Sequence, residues 1–96
     1  MKKVLVLGAL VAALGASTAY ADTSAARIAF SNNYAGNSWR QAMLKSYDLV
    51  TKKAVADKIV AAADVFTTAD QEVPTQAAQI QNLILQGYNA IVIDAG

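Results

Sequence analysis

The stretch Arg27-Ile28-Ala29-Phe30-Ser31-Asn32-Asn33-Tyr34-Ala35-Gly36-Asn37-Ser38-Trp39-Arg40-Gln41-Ala42-Met43 changes its periodicity once. Arg27 to Ser31 is short and apolar and runs directly into turn formers, Asn32, Asn33, Gly36 and Asn37, so it reads as a first strand. Ser38 is the expected N-cap, because its hydroxyl can accept from the unpaired amides of a following first turn. Beyond it Trp39, Met43, Tyr47, Val50 and Ala54 recur at steps of three and four, while Arg40, Lys45, Asp48 and Lys52 fall elsewhere on the wheel. That is the pattern of an amphipathic helix.

Toward the C-terminus, Val55 to Ala63 is Ala-rich and compatible with more helix. Ala62 to Thr67 reads as a second strand, since Val65, Phe66 and Thr67 are β-branched or aromatic. Ala69 to Val73 is a loop, and Pro74 suits the first turn of a helix, where its missing N–H costs nothing. Ala77, Ile80, Leu83 and Ile84 form the expected stripe of that helix, and Gly87 stops it as a left-handed cap. Ala90 to Ile93 is a third strand ended by Asp94, and its unbroken apolar run predicts cover on both faces. The order β-α-β-α-β predicts an α/β fold with a parallel sheet, because helices between strands impose parallel pairing.

Toward the N-terminus, Lys2 and Lys3 precede the uncharged apolar run Val4 to Gly15, and Ala19-Tyr20-Ala21 supplies the small residues of a cleavage site. This three-part pattern is that of a secretory signal peptide over residues 1–21, and the run is too short for a membrane span of about 20 residues. The expected mature domain is 22–96. Loss of Lys2 and Lys3 leaves six basic residues against seven acidic ones, a balance that argues against nucleic acid or anionic lipid as a partner. The sequence holds no His and no Cys. Imidazole and thiolate metal sites, Cys nucleophiles and Ser-His-Asp chemistry are thereby excluded. Asp22 stands where a lipid-bearing Cys would be needed, so the expected product is soluble, unanchored and periplasmic.

Ligands of open α/β sheets bind beyond the carboxyl ends of the strands. Three segments lie there: Asn32 to Arg40, Thr68 to Glu72 and Asp94 to Gly96. The first gathers Asn, Tyr, Trp and Arg beside a helix start. An aromatic face suits the C–H face of a sugar ring, and Arg and Asn offer paired donors and acceptors to neighbouring hydroxyls. Plainer readings stand beside these. Trp39 can be a core residue in step with Met43 and Tyr47, Arg40 a solvated charge, the asparagines turn formers and Asp94 a cap. Neither G-x-G-x-x-G nor G-x-x-x-x-G-K-[ST] occurs, which disfavours a phosphate cofactor, and no cofactor is expected. No carboxylate pair for glycoside chemistry can be assigned, since only Asp70 and Asp94 lie at this edge.

Ile28 to Met43 resembles the opening of periplasmic sugar-binding proteins of the ribose/galactose type, the capture components of ABC importers. Gln76 to Asp94 is similar to that family's second helix and third strand, a Gln-rich helix followed by Gln86-Gly87 and an apolar strand. The resemblance implies a two-lobed fold that closes on its ligand, with this sequence covering the first part of the N-terminal lobe, a fragment of the whole. It implies a small carbohydrate ligand and an importer permease as partner, with Asn33, Ser38, Trp39, Arg40 and Asp94 at the ligand, Asn32 and Tyr34 behind them, and Asp70 reaching in from the second strand's exit loop. The alternatives are a non-functional remnant of such a protein and a secreted α/β enzyme, the latter disfavoured because no nucleophile motif appears. Repressors of the lactose type share the fold but begin with a helix-turn-helix where this chain has its Lys-Lys and apolar run. N-terminal sequencing of the exported product is expected to start at Asp22; a cytoplasmic product that keeps Met1 would contradict the secretion reading.

Overall fold

The computed structural model describes residues 22–96. The signal-peptide expectation concerns residues 1–21 and lies outside the described residues. Strand β1 spans Arg27–Asn32, helix α1 Ser38–Ala56, strand β2 Ala62–Thr67, helix α2 Val73–Leu85 and strand β3 Ala90–Asp94. The three strands form one parallel sheet in the order β2-β1-β3, with Phe30 paired to Val65 on one side and to Val92 on the other. The expected α/β fold with alternating strands and helices is the observed one. Tyr47 of α1 packs edge-on against Phe30 at 5.0 Å between ring centroids, while Gln79 of α2 bonds Ser31. Neighbouring strand residues point to opposite faces, so the two helices cover opposite faces of β1.

Helix ends account for much of the local chemistry. Asn37, not Ser38, is the N-cap of α1: its Oδ1 accepts from the Arg40 amide at 2.8 Å, and Ser38 is already helical. Asparagine and serine cap equally well, so which of the two adjacent residues caps is set by the loop before them. The ambiguous Val55–Ala63 stretch divides at Ala56. Lys58 takes a left-handed φ of 59° and lets Ile59 N–H return to the Ala54 carbonyl. Pro74 lies in the first turn of α2 as expected. Gly87, at φ 84°, closes α2 with bonds from its own amide to Ile84 and from Tyr88 to Leu83. These are the paired bonds of a Schellman ending. Tyr88 then ties the amino-terminal edge of the sheet together. Its hydroxyl donates to Asp64 at 2.7 Å, a bond that raises the phenol's pKa, and the Arg27 guanidinium sits 4.4 Å above its ring.

Two expected stripes are rotated. On α2 the inward positions are Gln76, Gln79, Ile80 and Leu83, whereas Ala77 and Ile84 face out. These inward positions keep the i, i+3, i+4, i+7 spacing, and two of them are amides because the strand face beneath presents the Ser31 hydroxyl and backbone groups. On α1, Met43, Tyr47 and Ala54 are partly covered, but Trp39 and Val50 are exposed. The cover expected on both faces of β3 is also incomplete, since Val92 and Ile93 are exposed. Among the described residues β3 is an edge strand, and α2 covers one face of the sheet.

The rotation of α2 gives a stability test. Leu83 is 1% exposed, so Leu83→Ala should cost about 2–5 kcal/mol. Ile84→Ala, on the outer side of the same turn, should cost less than about 0.5 kcal/mol. Urea denaturation of both variants checks the pair, and equal losses would restore the expected stripe.

Candidate functional site

Central strand β1 ends, and the chain continues just past it, in polar residues that are nevertheless buried: Ser31, Asn32 and Asn33 are all at most 5% exposed. Buried amides and hydroxyls must find partners, and here they build the carboxyl-edge loop. Asn32 Nδ2 donates to the Tyr34 carbonyl at 2.8 Å and to Thr67 Oγ1 at 3.4 Å, which folds the loop back over the strand end and ties it to β2. The Tyr34 ring then lies over Gly36, where an added Cβ would meet the far end of the ring and require it to move. Asn37 caps α1 and thereby places Arg40 one turn in, facing the strand ends.

Arg40 Nη1 is the centre of the cluster. It donates to Asn32 Oδ1 at 3.2 Å and to Asn33 Oδ1, and lies 3.5 Å from the Tyr34 carbonyl and 2.7 Å from Asp94 Oδ2. One nitrogen with two hydrogens is therefore ringed by four oxygens. Asp94 Oδ2 lies off the N–H directions and receives no directed hydrogen bond despite the close approach; charge holds that pair together. Asn32 and Asp94 are register partners on adjacent strands, so the ladder itself brings Asp94 to the cluster. Thr68 Oγ1, at the exit of β2, is a second buried oxygen without a partner at this edge.

Trp39 is 62% exposed, with the Arg40 guanidinium 5.3 Å from its ring centroid. The core reading of Trp39 therefore fails. Arg40, with 17% of its side chain exposed, is not a solvated surface charge either. The structure thus brings together Asn32, Asn33, the Tyr34 carbonyl, Arg40 and Asp94, with Trp39 on the rim. Ser38 opens α1 and is exposed beside the rim, and Asp70 lies exposed in the turn after β2. Neither side chain bonds to the cluster. Sequence reasoning passed over Gln76, a buried amide of α2 that bonds the Asp94 carbonyl; its only signal was a Gln at a position in phase with Leu83. A concavity of about 390 Å³ lies elsewhere, between α1 and β2, lined by Asp48, Thr51, Lys52, Val55 and Asp64 among others. Its cation, Lys52, is already paired with Asp48 at 3.0 Å, and it sits away from the strand ends where ligands of this architecture bind.

The comparisons with known proteins agree with this architecture. Residues 28–96 match the model of the periplasmic binding protein domain. The chain belongs to the periplasmic binding protein family. An ABC transporter solute-binding protein from Thermobispora bispora has a similar structure, at 34% sequence identity and a TM-score of 0.69. The match covers 73% of this chain and 22% of that one, so the chain spans under a quarter of that relative's length. No curated protein matches. Among the described residues no helix is long and apolar enough to cross a membrane.

The exposure of Trp39 has a measurable consequence. Trp39→Ala should lower stability by no more than a typical surface change, about 0.5 kcal/mol or less. A buried Trp would cost about 3–5 kcal/mol. Thermal denaturation followed by circular dichroism separates the two.

Proposed function

We propose that this edge is one wall of a site that captures a small neutral carbohydrate, delivered to the permease of an ABC importer after export of the protein to the periplasm through its cleaved signal peptide. The observation that carries the reading is the crowding of acceptors around Arg40 Nη1. The Tyr34 carbonyl is served by Asn32 Nδ2, but the two hydrogens of Nη1 cannot serve Asn32 Oδ1, Asn33 Oδ1 and Asp94 Oδ2 together, so the cluster has surplus acceptor capacity. A ligand rich in hydroxyls supplies donors to those oxygens and acceptors to the guanidinium's other N–H groups. Trp39 adds an exposed aromatic face suited to the apolar face of a sugar ring. The charges favour a neutral ligand: Arg40 is already compensated by Asp94, and a phosphate or carboxylate would meet the ring of oxygens with no donors of its own. Asn33, Ser38, Trp39, Arg40 and Asp94 are the proposed contacts, with Asn32 and Tyr34 shaping the loop behind and Asp70 the outermost candidate. Binding without chemical conversion fits a site with no nucleophile–base pair.

Titration calorimetry of the intact protein against D-ribose, L-arabinose, D-xylose, D-glucose and D-galactose, with L-glutamate and inorganic phosphate as anionic competitors, tests this. Saturable binding of at least one sugar is expected. Arg40→Ala and Trp39→Ala should each weaken it by about 1–3 kcal/mol, through a lost charged donor and a lost stacking face respectively. Saturable binding of glutamate or phosphate with none for the sugars would overturn the carbohydrate reading.

A further inference from the structure

Gln76 lies on α2, outside the loops proposed to touch a ligand, yet it is 4% exposed and fully engaged. Its Nε2 donates to the Asp94 carbonyl at 3.0 Å, to Ser31 Oγ at 3.2 Å and toward the Ser31 carbonyl at 3.4 Å. Its Oε1 accepts from the Gly96 amide at 3.1 Å. Ser31 Oγ in turn donates to Gln79 Oε1 at 2.8 Å, which fixes the sense of the chain: Gly96 N–H to Gln76, Gln76 to Ser31, Ser31 to Gln79. The amide of Gln76 therefore clamps the backbone immediately after the Asp94 side chain, at the Asp94 carbonyl and at the N–H two residues on. Gly96 also packs tightly on Asn33, since a Cβ there would come within 3.0 Å of Asn33 Nδ2. One member of the Arg40 cluster, Asp94, thus takes its backbone position from a buried amide, and Gly96, held by the same amide, lies beside a second member, Asn33.

We infer that Gln76 is the positioning residue of this edge: through the Asp94 carbonyl and the Gly96 amide it sets where the Asp94 carboxylate meets Arg40, and so how the site is pre-organised. The inference rests on the reading of this edge as the solute site, but the geometry it describes exists without a ligand. Preorganised first contacts depend on such supporting bonds, whose loss displaces groups that they never touch. Met at position 76 would keep the length of the side chain and remove both bonds. Glu would keep the acceptor for Gly96 and lose the donor to Asp94 and Ser31. Gln79 is the matched control, since it is one turn along, bonds the same Ser31 hydroxyl and does not reach Asp94 or Gly96.

The test uses the intact protein with 5-fluorotryptophan and 15N-labelled arginine, so that Trp39 and Arg40 report on the cluster by nuclear magnetic resonance without ligand. Gln76→Met and Gln76→Glu are expected to move the Trp39 and Arg40 signals in the direction that Asp94→Asn moves them. Gln79→Met should leave both in place, and Gln76→Met combined with Asp94→Asn should move them no further than Asp94→Asn alone. Affinity for the best-bound sugar of the panel should fall about tenfold or more in the Gln76 variants and by less than about threefold in Gln79→Met. If Gln76→Met does not fold, Gln76→Glu decides. Signals that stay at their wild-type positions in the Gln76 variants, or affinity losses no greater than that of Gln79→Met, would overturn the role. A wild-type protein that binds no sugar would overturn the carbohydrate reading instead, while the ligand-free spectra would still decide the role of Gln76.

Discussion

Three polar residues at the end of the central strand have to be satisfied away from water, and most of the site follows from that requirement. Ser31, Asn32 and Asn33 are buried because β1 is flanked by strands on both sides and by a helix on each face. An unpaired buried amide or hydroxyl costs about 1–3 kcal/mol, so the surrounding elements must supply partners. Helix α2 supplies Gln76 and Gln79, β2 supplies Thr67, and α1 supplies Arg40. A buried guanidinium then needs a counter-charge, and the ladder between β1 and β3 places Asp94 opposite Asn32 to provide it.

The same network explains why α2 turns amides toward the sheet and leaves Ile84 and Leu85 outside. A helix facing an apolar strand maximises the area that it buries. A helix facing Ser31 and the exit of β3 must instead satisfy polar groups first, and Leu83 is the residue left to fill the apolar part of the contact. The apolar surface of β3 and the outer faces of both helices remain exposed in the described residues. The chain's match to under a quarter of a longer solute-binding protein is in keeping with surfaces that further structure could cover.

The elements were legible in the sequence because each is bounded by a strong local signal: turn formers after Ser31, Pro74 in a first turn, Gly87 at a left-handed position. Strand existence followed from β-branched and aromatic runs, and parallel pairing from the alternation with helices; the order β2-β1-β3 came from the structure. The faces were less legible. Periodicity identifies a stripe by its apolar residues, so it placed Ile84 in the core and left Trp39 between a core and a ligand-edge reading. It passed over Arg40, Gln76 and Gln79 as inward residues because polarity normally marks the outside. For the site, the loop was visible as a dense group of Asn, Tyr, Trp and Arg next to a strand end. The topology already put Asp94 at the same edge, but its pairing with Arg40 needed the β1–β3 register, which no local pattern encodes. Gln76 was hidden for the same reason, since its partners lie 18 and 45 residues away in sequence.

The division between buried and exposed groups bears on how such an edge can bind. Asn32, Asn33 and Arg40 are held by bonds formed on folding, so their side-chain entropy is already lost before a ligand arrives. Freezing a free, rotamer-rich side chain costs about 0.5–1.5 kcal/mol on association, and these residues escape that penalty. Trp39 is the exception, because its ring is exposed and held by a single cation–π contact. An aromatic ring has only two side-chain torsions, so the ordering it still needs is small beside the surface it can offer. A weakly hydrogen-bonding neutral ligand gains little from each contact with water as competitor. Under the proposed reading, binding at such an edge depends on how rigidly the acceptors are placed, and the buried amides behind them help to set that.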